Sequence, residues 1–352
     1  MKRPLVLGAV LALSVPLPAT PAVAHENRTC APDATAISYG DGLDKLVRDG
    51  ATVGGLSNVA WDKRSGAWVS SVDNHGSDPS RLWFWRDPAD PAIVRDPLVL
   101  EKADGTPYDG TTADNEGLAV LPNGDFLVSS ETEPSIRIFG RDGVQKSSLP
   151  VPARFAVAPA GEATSNATLE GLTITPAGNR VVAAMEGALA GDTDATLHRF
   201  LVYDLGRRGW KLTAQWAYRA DAGQRIPEVV AYDYDSLLVM EASFSTGTGN
   251  AVKLYSVPTT SKAADVSRVT DLATAPSRSI LRKKLVADLV KCPTLGAPSR
   301  EAQANPLLDN YEGMSVTPTE GGDIITVISD DNFSATQFTR VLTLQSWLPN
   351  VW

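Results

Sequence analysis

Short apolar runs joined by tight turns recur along this chain. Each recurrent unit contains two apolar runs separated by a turn with Gly or Pro, as in residues 114–121 and 125–131. A third run follows in every unit, at residues 82–85, 136–139, 200–203, 252–255 and 341–344. Short runs bounded by such turns are typical of antiparallel β-hairpins. The pattern therefore predicts an all-β protein without long helices.

The units repeat at nearly constant spacing. A fourth, weaker run precedes the next unit, as at residues 97–100 and 210–214, and the first four units begin 58, 54 and 58 residues apart. Four strands per repeat of this length are typical of a β-propeller blade. The last unit follows after 84 residues, which leaves room for insertions or for a degenerate sixth blade. We therefore predict a single β-propeller of five visible, four-stranded blades, closed by an outer strand over residues 34–39.

The repeat also places polar residues at matching strand ends. In a propeller blade the second strand returns to the face where the first begins, so these positions share one mouth of the central channel. The first position is polar in every blade: Asn58, Glu116, Glu170, Glu228 and Glu312. The second position is acidic in every blade: Asp73, Glu131, Glu186, Glu241 and Asp330. The sequence therefore predicts a ring of carboxylates at one mouth.

Carboxylates buried beside one another are costly unless something compensates their charge. Metal coordination provides such compensation, and a set made only of oxygen ligands suits Ca²⁺ better than zinc. We therefore predict all ten ring residues as calcium ligands, with Glu116, Glu170 and Glu312 as candidate catalytic bases. The alternative is a structural belt in which the acids cap strand ends and bridge neighbouring blades.

Basic residues and one histidine complete the candidate chemistry. A base recurs near the start of the third strand in each blade: Arg81, Arg137, Arg199, Lys253 and Arg340. These side chains either bind an anionic substrate at the mouth or pair with the acids of their own blades. Among three histidines, His75 falls on the predicted acidic mouth and is the candidate catalytic imidazole, against the alternative of a solvated loop residue.

The N-terminus predicts export. Residues 1–24 combine a basic start, a short apolar stretch and a small-residue cleavage site, which is typical of a secretory signal. No other stretch approaches the roughly 20 apolar residues of a membrane span. We predict a signal peptide at 1–24, an N-terminal segment at 25–49 and a propeller domain at 50–352, in a secreted or otherwise extracytoplasmic protein. Cys30 and Cys292 then predict one disulfide, with two buried free thiols as the alternative.

The charge balance limits the partners. The chain has 41 acidic and 32 basic residues, and loss of Lys2 and Arg3 with the signal changes the net charge from −9 to −11. This acidity argues against nucleic-acid binding and is compatible with cation binding. No Gly-x-Ser-x-Gly motif occurs, which disfavours α/β-hydrolase chemistry. The sequence leaves the oligomeric state open.

Four motifs carry a resemblance to a known family. They are Asp114-Asn115-Glu116-Gly117, Leu169-Glu170-Gly171-Leu172, Asn310-Tyr311-Glu312-Gly313 and Ser329-Asp330-Asp331-Asn332-Phe333. With these motifs and Cys292-Pro293, the chain resembles the bacterial phytase-like family, called "esterase-like activity of phytase", over about residues 50–345. The resemblance implies a propeller, and the family name implies hydrolysis of ester or phosphoester bonds. Asn58 and Pro227-Glu228-Val229 depart from the pattern, so blades one and four are expected to contribute less.

Three functions remain open at this stage. The first is a Ca²⁺-dependent hydrolase of small ester or phosphoester substrates at the acidic mouth. The second is a calcium-propeller hydrolase of the lactonase type, with the same site and an uncharged substrate. The third is a non-catalytic extracellular binding module braced by its acids and bases. Bases that reach the mouth unpaired favour a phosphate substrate, whereas bases locked in ion pairs favour the other two functions.

Overall fold

A computed structural model describes residues 29–73 and 76–349 as a five-bladed β-propeller. Before the first blade lie β1 (Ala34–Gly40), β2 (Val47–Arg48) and β3 (Ala51–Thr52). Blade one contains β4 (Ala60–Asp62), β5 (Ala67–Ser71), β6 (Arg81–Arg86), β7 (Ala92–Ile93) and β8 (Leu98–Val99). Both β7 and β8 pair with β6, so two short strands share the outer edge of this blade.

The other blades have four strands each. Blade two contains β9 (Asn115–Val120), β10 (Phe126–Ser130), β11 (Ser135–Phe139) and β12 (Gln145–Leu149). Blade three contains β13 (Leu169–Ile174), β14 (Arg180–Met185), β15 (Leu197–Gly206) and β16 (Gly209–Arg219). Blade four contains β17 (Arg225–Asp233), β18 (Ser236–Ser245), β19 (Gly249–Val257) and β20 (Lys284–Asp288). Blade five contains β21 (Tyr311–Thr319), β22 (Gly322–Ser329) and β23 (Val341–Ser346), completed by β1.

The ring closes as the sequence predicts. The inner strands β4, β9, β13, β17 and β21 contact one another in that order, and β21 returns to β4. The N-terminal strand β1 pairs antiparallel with β23 as the outer strand of blade five. The long last interval holds an insertion, because residues 258–283 connect β19 to β20 within blade four. The prediction of five blades is therefore confirmed.

Hydrophobic packing between blades follows from the strand pattern. All residues of β5 and β10 are buried, because each central strand is covered on both faces by neighbouring blades. Phe84 of blade one and Phe126 of blade two meet edge-to-face with ring centroids 6.0 Å apart. Burying one such side chain stabilises a fold by about 1.5–3 kcal/mol. These contacts hold the blades rigidly enough to position the residues at the channel mouth.

A disulfide fastens the N-terminal segment. Cys30 and Cys292 are bonded across 262 residues of sequence, as predicted. The backbone beside Cys30 also bonds to blade four, where the Asp33 amide donates to Val286 O at 3.0 Å. The described helices are four 3₁₀ turns at Ala153–Phe155, Leu272–Thr274, Ser277–Ser279 and Leu289–Lys291. In the described parts of the chain, no helix has the length and apolarity to cross a membrane. The predicted signal peptide lies outside the described residues.

Candidate functional site

A cavity of about 250 Å³ opens at the mouth where the inner strands begin. Seven of the ten predicted ligands line it: Asp73, Glu116, Glu131, Glu170, Glu186, Glu312 and Asp330. The other lining residues are Asn166, Asn310, Asn332 and Arg225. Blades one, two, three and five supply the acids. The structure therefore gathers most of the predicted carboxylate ring into one cavity.

Three of these acids lie in β-bulges of the inner strands. The pairing of β10 with β9 shifts between Val128 and Ser130, opposite Glu116. Equivalent shifts in blades three and five contain Glu170 and Glu312. A bulge leaves its extra residue outside the ladder and redirects the side chain. The bulges thus turn these three carboxyl groups toward the channel mouth.

The glycine after each bulged acid permits close packing of the inner strands. A Cβ atom on Gly117 would lie 2.4 Å from both Glu170 O and Leu172 Cβ. Gly171 and Gly313 approach the backbone of the next inner strand in the same way. Real Cβ atoms do not tolerate contacts this short. The Glu-Gly pairs of the sequence therefore combine a site residue with the close approach that brings adjacent acids together.

The remaining acids follow the second strands. Glu131, Glu186 and Asp330 come directly after the last residues of β10, β14 and β22, and Asp73 lies two residues after β5. Glu131 accepts a hydrogen bond from the Thr168 amide of the next blade. The second strand of each of these blades thus returns its acid to the mouth, as the propeller topology requires.

Arg225 is the cation of the cavity in the part of the chain that the structure describes, and it is not among the predicted site residues. Its Nη1 lies 3.0 Å from Glu186 Oε1 and 3.5 Å from Glu170 Oε1. Its Nη2 donates to Glu312 Oε1 and Asn310 Oδ1, each at 2.8 Å. Arg225 is the first residue of β17, three positions before Glu228, and so stands outside the repeated positions. One guanidinium thereby links acids from blades three and five.

Burial and mutual repulsion perturb the acids strongly. Burial raises the pKa of Asp73 to about 11, with Asp114 and Asp330 adding to the effect. Burial, then the charge of Glu186, raises the pKa of Glu131 to about 8. Burial and neighbouring carboxylates likewise raise the pKa values of four other acids above their ordinary values: Glu116, Glu170, Glu186 and Asp330. In the absence of a cation, these carboxyl groups therefore tend to keep their protons in the folded protein.

Arg225 compensates only part of this charge. Burial acts to lower the pKa of its guanidinium, but the carboxylates of Glu312, Glu186 and Glu170 raise it above its ordinary value. Among the described residues, one cation thus faces seven acids in the cavity. Charge compensation by a further cation, or by protons, is required for the cluster to stay folded.

The carboxylates meet the spacing requirement of a metal site. Two sets of three acids have ligand oxygens within 4.8 Å of one another: Asp73, Asp114 and Glu116, and Glu116, Glu131 and Glu170. Glu170 is 5% exposed, and its Oε2 has no hydrogen-bond partner among the described residues. Oxygen donors at this spacing suit a hard divalent cation such as Ca²⁺. Asp114, two residues before Glu116 in the quoted motif, was not among the predicted ligands.

Three predicted ligands lie away from the cavity. Asn58 is buried between blades, where its side chain bonds Ser71 and Glu116 O. Glu228 is also buried, and its Oε1 accepts the amides of Leu172 and Val229 at 3.0 and 2.9 Å. Both side chains bond within the fold and do not line the cavity, in the two blades that depart from the Glu-Gly pattern.

Glu241 belongs to a different polar cluster. Its Oε1 accepts hydrogen bonds from Tyr218 and Lys283, and its Oε2 accepts the Asp221 amide at 2.8 Å. Lys253, one of the five predicted substrate-binding bases, pairs with Asp221 at 3.0 Å in the same cluster. Neither Glu241 nor Lys253 lines the acidic cavity. Blade four therefore contributes Arg225, rather than acids, to the mouth.

The other four repeated bases also lie away from the cavity. Arg199 binds both carboxylate oxygens of Asp192 at 2.7 Å. Arg340 binds Asp41 in the same bidentate way, at 2.7 and 2.8 Å. The expectation that these bases reach the mouth is not met, because third strands lie two positions out from the channel. Their acid partners belong to connecting segments, not to the carboxylate ring.

The remaining two bases have weaker partners but the same location. Arg137 lies 3.5 Å from Glu133 and 4.8 Å above the Tyr108 ring. Arg81 donates through Nε to Pro79 O at 2.9 Å. Neither lines the cavity. None of the five repeated bases is therefore placed to contact a substrate at the mouth. Arg225, which does line the cavity, is already paired with carboxylates.

His75, the candidate catalytic imidazole, lies outside the described residues. His198 is buried in β15 at 2% exposure, where burial lowers its pKa to about 4. It does not line the acidic cavity.

Comparison with protein families identifies the fold's relatives. Residues 51–333 match the phytase-like family, described as "Esterase-like activity of phytase". The chain belongs to the phytase-like family. This membership confirms the resemblance carried by the Glu-Gly motifs and spans all five inner strands. A search of curated protein sequences finds no match to this phytase-like chain.

Solved structures similar to this phytase-like protein share only its general fold. A Dyadobacter fermentans protein of unknown function is 10% identical, with a TM-score of 0.47, and covers 90% of this chain and 100% of its own. A gluconolactonase from Xanthomonas campestris is 11% identical, with a TM-score of 0.39 and 89% coverage of each chain. An aldose sugar dehydrogenase from Streptomyces coelicolor is 11% identical, with a TM-score of 0.38, and covers 89% and 97%. These likenesses carry no argument about activity.

Proposed function

We propose that this protein is an exported, calcium-dependent hydrolase of small ester substrates. The observation that carries the proposal is the buried carboxylate cluster, whose oxygens have metal-ligand spacing and an excess of negative charge. Membership of a family named for esterase-like activity supports hydrolysis as the reaction class. The predicted secretory signal and the Cys30–Cys292 disulfide support export. Extracytoplasmic compartments also favour disulfide formation over the free thiols of the cytoplasm.

The substrate is proposed to be an uncharged carboxylic ester or lactone. A phosphoester needs local positive charge, but the five repeated bases lie away from the cavity and Arg225 already contacts three acids. The cavity volume of about 250 Å³ suits a small molecule. Three asparagine side chains, Asn166, Asn310 and Asn332, line the same space and supply amide donors and acceptors. These groups orient hydroxyl or carbonyl oxygens of a neutral substrate.

The acids divide into ligands and a base. Asp73, Asp114, Glu116, Glu131 and Glu170 would hold calcium. When bound, Ca²⁺ supplies positive charge that polarises the ester carbonyl and stabilises the developing negative charge. Glu312 is in neither ligand set, and its Oε1 is held by Arg225 and by Asn310 Nδ2 at 3.0 Å. Glu312 would take a proton from the attacking water, and Arg225 would position its carboxylate.

Calcium titration of the metal-stripped mature protein tests this proposal. At a hundredfold excess over Kd, calcium should stabilise the fold by about 2.7 kcal/mol and raise Tm by roughly 3–5 °C. The Glu116→Gln, Glu170→Gln double variant should lose this rise and the turnover of ester and lactone substrates. A matched variant with the exposed acids changed, Glu133→Gln with Glu320→Gln, should retain both.

Two outcomes would contradict the proposal. A flat calcium response would leave the acids as blade braces and favour a non-catalytic binding module. Unchanged ester turnover in the Glu116→Gln, Glu170→Gln variant would exclude the carboxylate cluster as the reaction site. Turnover of phosphoesters but not of neutral esters would keep the site and overturn the substrate class.

A further inference from the structure

The two carboxylate sets at the mouth do not form a single ligand group. Ca²⁺ binds oxygens at about 2.3–2.6 Å, so opposite ligands of one ion lie at most about 5 Å apart. Within each set the oxygens satisfy this limit, lying within 4.8 Å of one another. Among the described residues, the five acids do not form one such group. Glu116 alone belongs to both sets.

Each set also contains an oxygen that lacks a partner. Glu170 Oε2, in the second set, is buried without a hydrogen bond among the described residues, and its side chain lines the cavity. Asp114 Oδ1, in the first set, is buried and has no hydrogen-bond partner in the same part of the chain. An unsatisfied buried oxygen destabilises the fold, and does so more when the group is charged. A cation at each set would remove both costs.

The topology separates the two sets on either side of one strand. Asp73 comes from the end of the second strand in blade one, and Asp114 lies directly before β9. Glu131 ends the hairpin of blade two, and Glu170 lies in the bulge of β13. Glu116 lies in the bulge of β9 and is common to both sets. This is the placement of a bridging carboxylate.

We propose that the acidic mouth holds two divalent cations bridged by Glu116. The inference rests on the proposed calcium site and adds its stoichiometry. The first ion is bound by Asp73, Asp114 and Glu116, and the second by Glu116, Glu131 and Glu170. Glu312 remains outside both sets, free of metal ligation and beside Arg225. Glu170, a ligand of the second ion, shares the guanidinium of Arg225 with Glu312.

Calcium stoichiometry measured by isothermal titration calorimetry and equilibrium dialysis tests the proposal. The metal-stripped mature protein should bind two equivalents of Ca²⁺. Asp114→Asn should remove the first ion and Glu131→Gln the second, so that each variant binds one equivalent. In Glu131→Gln the side-chain oxygen can still accept the hydrogen bond from the backbone N–H of Thr168. Circular dichroism checks that each variant folds. Glu320→Gln, an exposed acid, should still bind two.

The outcomes separate this inference from the proposed function. One equivalent in the unmodified protein would overturn the bridged pair and keep a calcium site. No binding would overturn both. If Asp114→Asn and Glu131→Gln each bind two equivalents, the assigned ligands are wrong. Glu116→Gln should weaken both ions at least tenfold, whereas loss of only one would show that Glu116 does not bridge.

Discussion

At the scale of single residues, Arg225 contacts the acids of the mouth, whereas the bases predicted from the repeat lie away from the cavity. It joins Glu170 and Glu186 of blade three to Glu312 of blade five, across the mouth of the channel. The sequence repeat could not reveal it, because no other blade has a base three residues before its ring position. The five repeated bases are predicted as substrate-binding residues because they recur in every blade. A residue can also recur because it stabilises its own blade.

Replacing Arg225 should destabilise the metal-free protein. We expect Arg225→Met to lose about 2–4 kcal/mol of unfolding free energy at pH 7, because breaking a largely buried ion pair leaves its acids uncompensated. Urea unfolding measures this loss, with the exposed Arg278→Met as control. Saturating calcium should recover part of the loss, since added cations restore compensation. A loss no larger than that of the control would show that Arg225 does not brace the blades.

At the scale of elements, the position of a bulge decides which acids reach the mouth. In blade four the pairing of β17 with β18 shifts between Arg225 and Glu228, so Glu228 itself stays in the regular ladder. The same residue type in blades two, three and five lies within the shift. Val229 stands there in place of the glycine that follows the glutamate in the other three blades, and Pro227 precedes Glu228. Comparison of the repeats within the chain identifies the equivalent position but does not show that the bulge is displaced.

The glycine next to a bulged acid provides an element-scale test. We expect Gly117→Ala to lower the unfolding free energy by about 1–3 kcal/mol, because its Cβ would clash with the backbone at Glu170 and force strands apart. Calcium affinity should fall with it, since Glu170 is a proposed ligand. Gly206→Ala is the matched control, because its Cβ would meet only one atom, at 3.7 Å. Equal stability and affinity in both variants would contradict this account of the Glu-Gly pairs.

The disulfide tests how the ring is fastened. Cys30–Cys292 ties the segment before β1 to the end of blade four, while β1 itself completes blade five. Removing a disulfide of this kind costs about 2–5 kcal/mol. We therefore expect reductant to lower Tm, and Cys30→Ser with Cys292→Ser to show the lower Tm with no further response to reductant. An unchanged Tm in the double variant would show that strand pairing alone closes the ring.

At the scale of the whole molecule, repetition made the architecture predictable. Four apolar runs per unit determine a blade, and five such units determine the ring, because each blade buries its faces only against the next. The interval before Glu312 was ambiguous, since a 26-residue insertion at 258–283 and a degenerate blade have similar composition. The propeller topology predicts a lining residue of the cavity only where that residue occupies a position that recurs from blade to blade. Arg225, Asn166 and Asn332 follow no repeat, and Asp114 and Asn310 share a position that is polar in only three of the five blades, so these residues required the three-dimensional structure.

The carboxylate cluster should also govern how stability depends on pH. Between pH 6.5 and 8, the folded metal-free protein retains protons that the unfolded chain has lost, because burial raises the pKa of Glu131 to about 8 and of Asp73 to about 11. Stability should therefore fall with rising pH, by about 2 kcal/mol per retained proton across this window. His198 does not oppose the trend there, since its lowered pKa of about 4 and its ordinary value of 6.5 both lie at or below the window.

Calcium should reverse this dependence, because it binds the deprotonated carboxylates and competes with their protons. Urea unfolding at pH 6.5 and pH 8, with and without saturating calcium, makes the comparison. We expect the stabilisation by calcium to be larger at pH 8, and the Glu116→Gln, Glu170→Gln variant to show a weaker fall with pH. If the metal-free protein instead becomes more stable from pH 6.5 to 8, the cluster is not proton-loaded in the folded state. Its charge would then have to be compensated by the protein itself, and the argument for a cation at the mouth would fail.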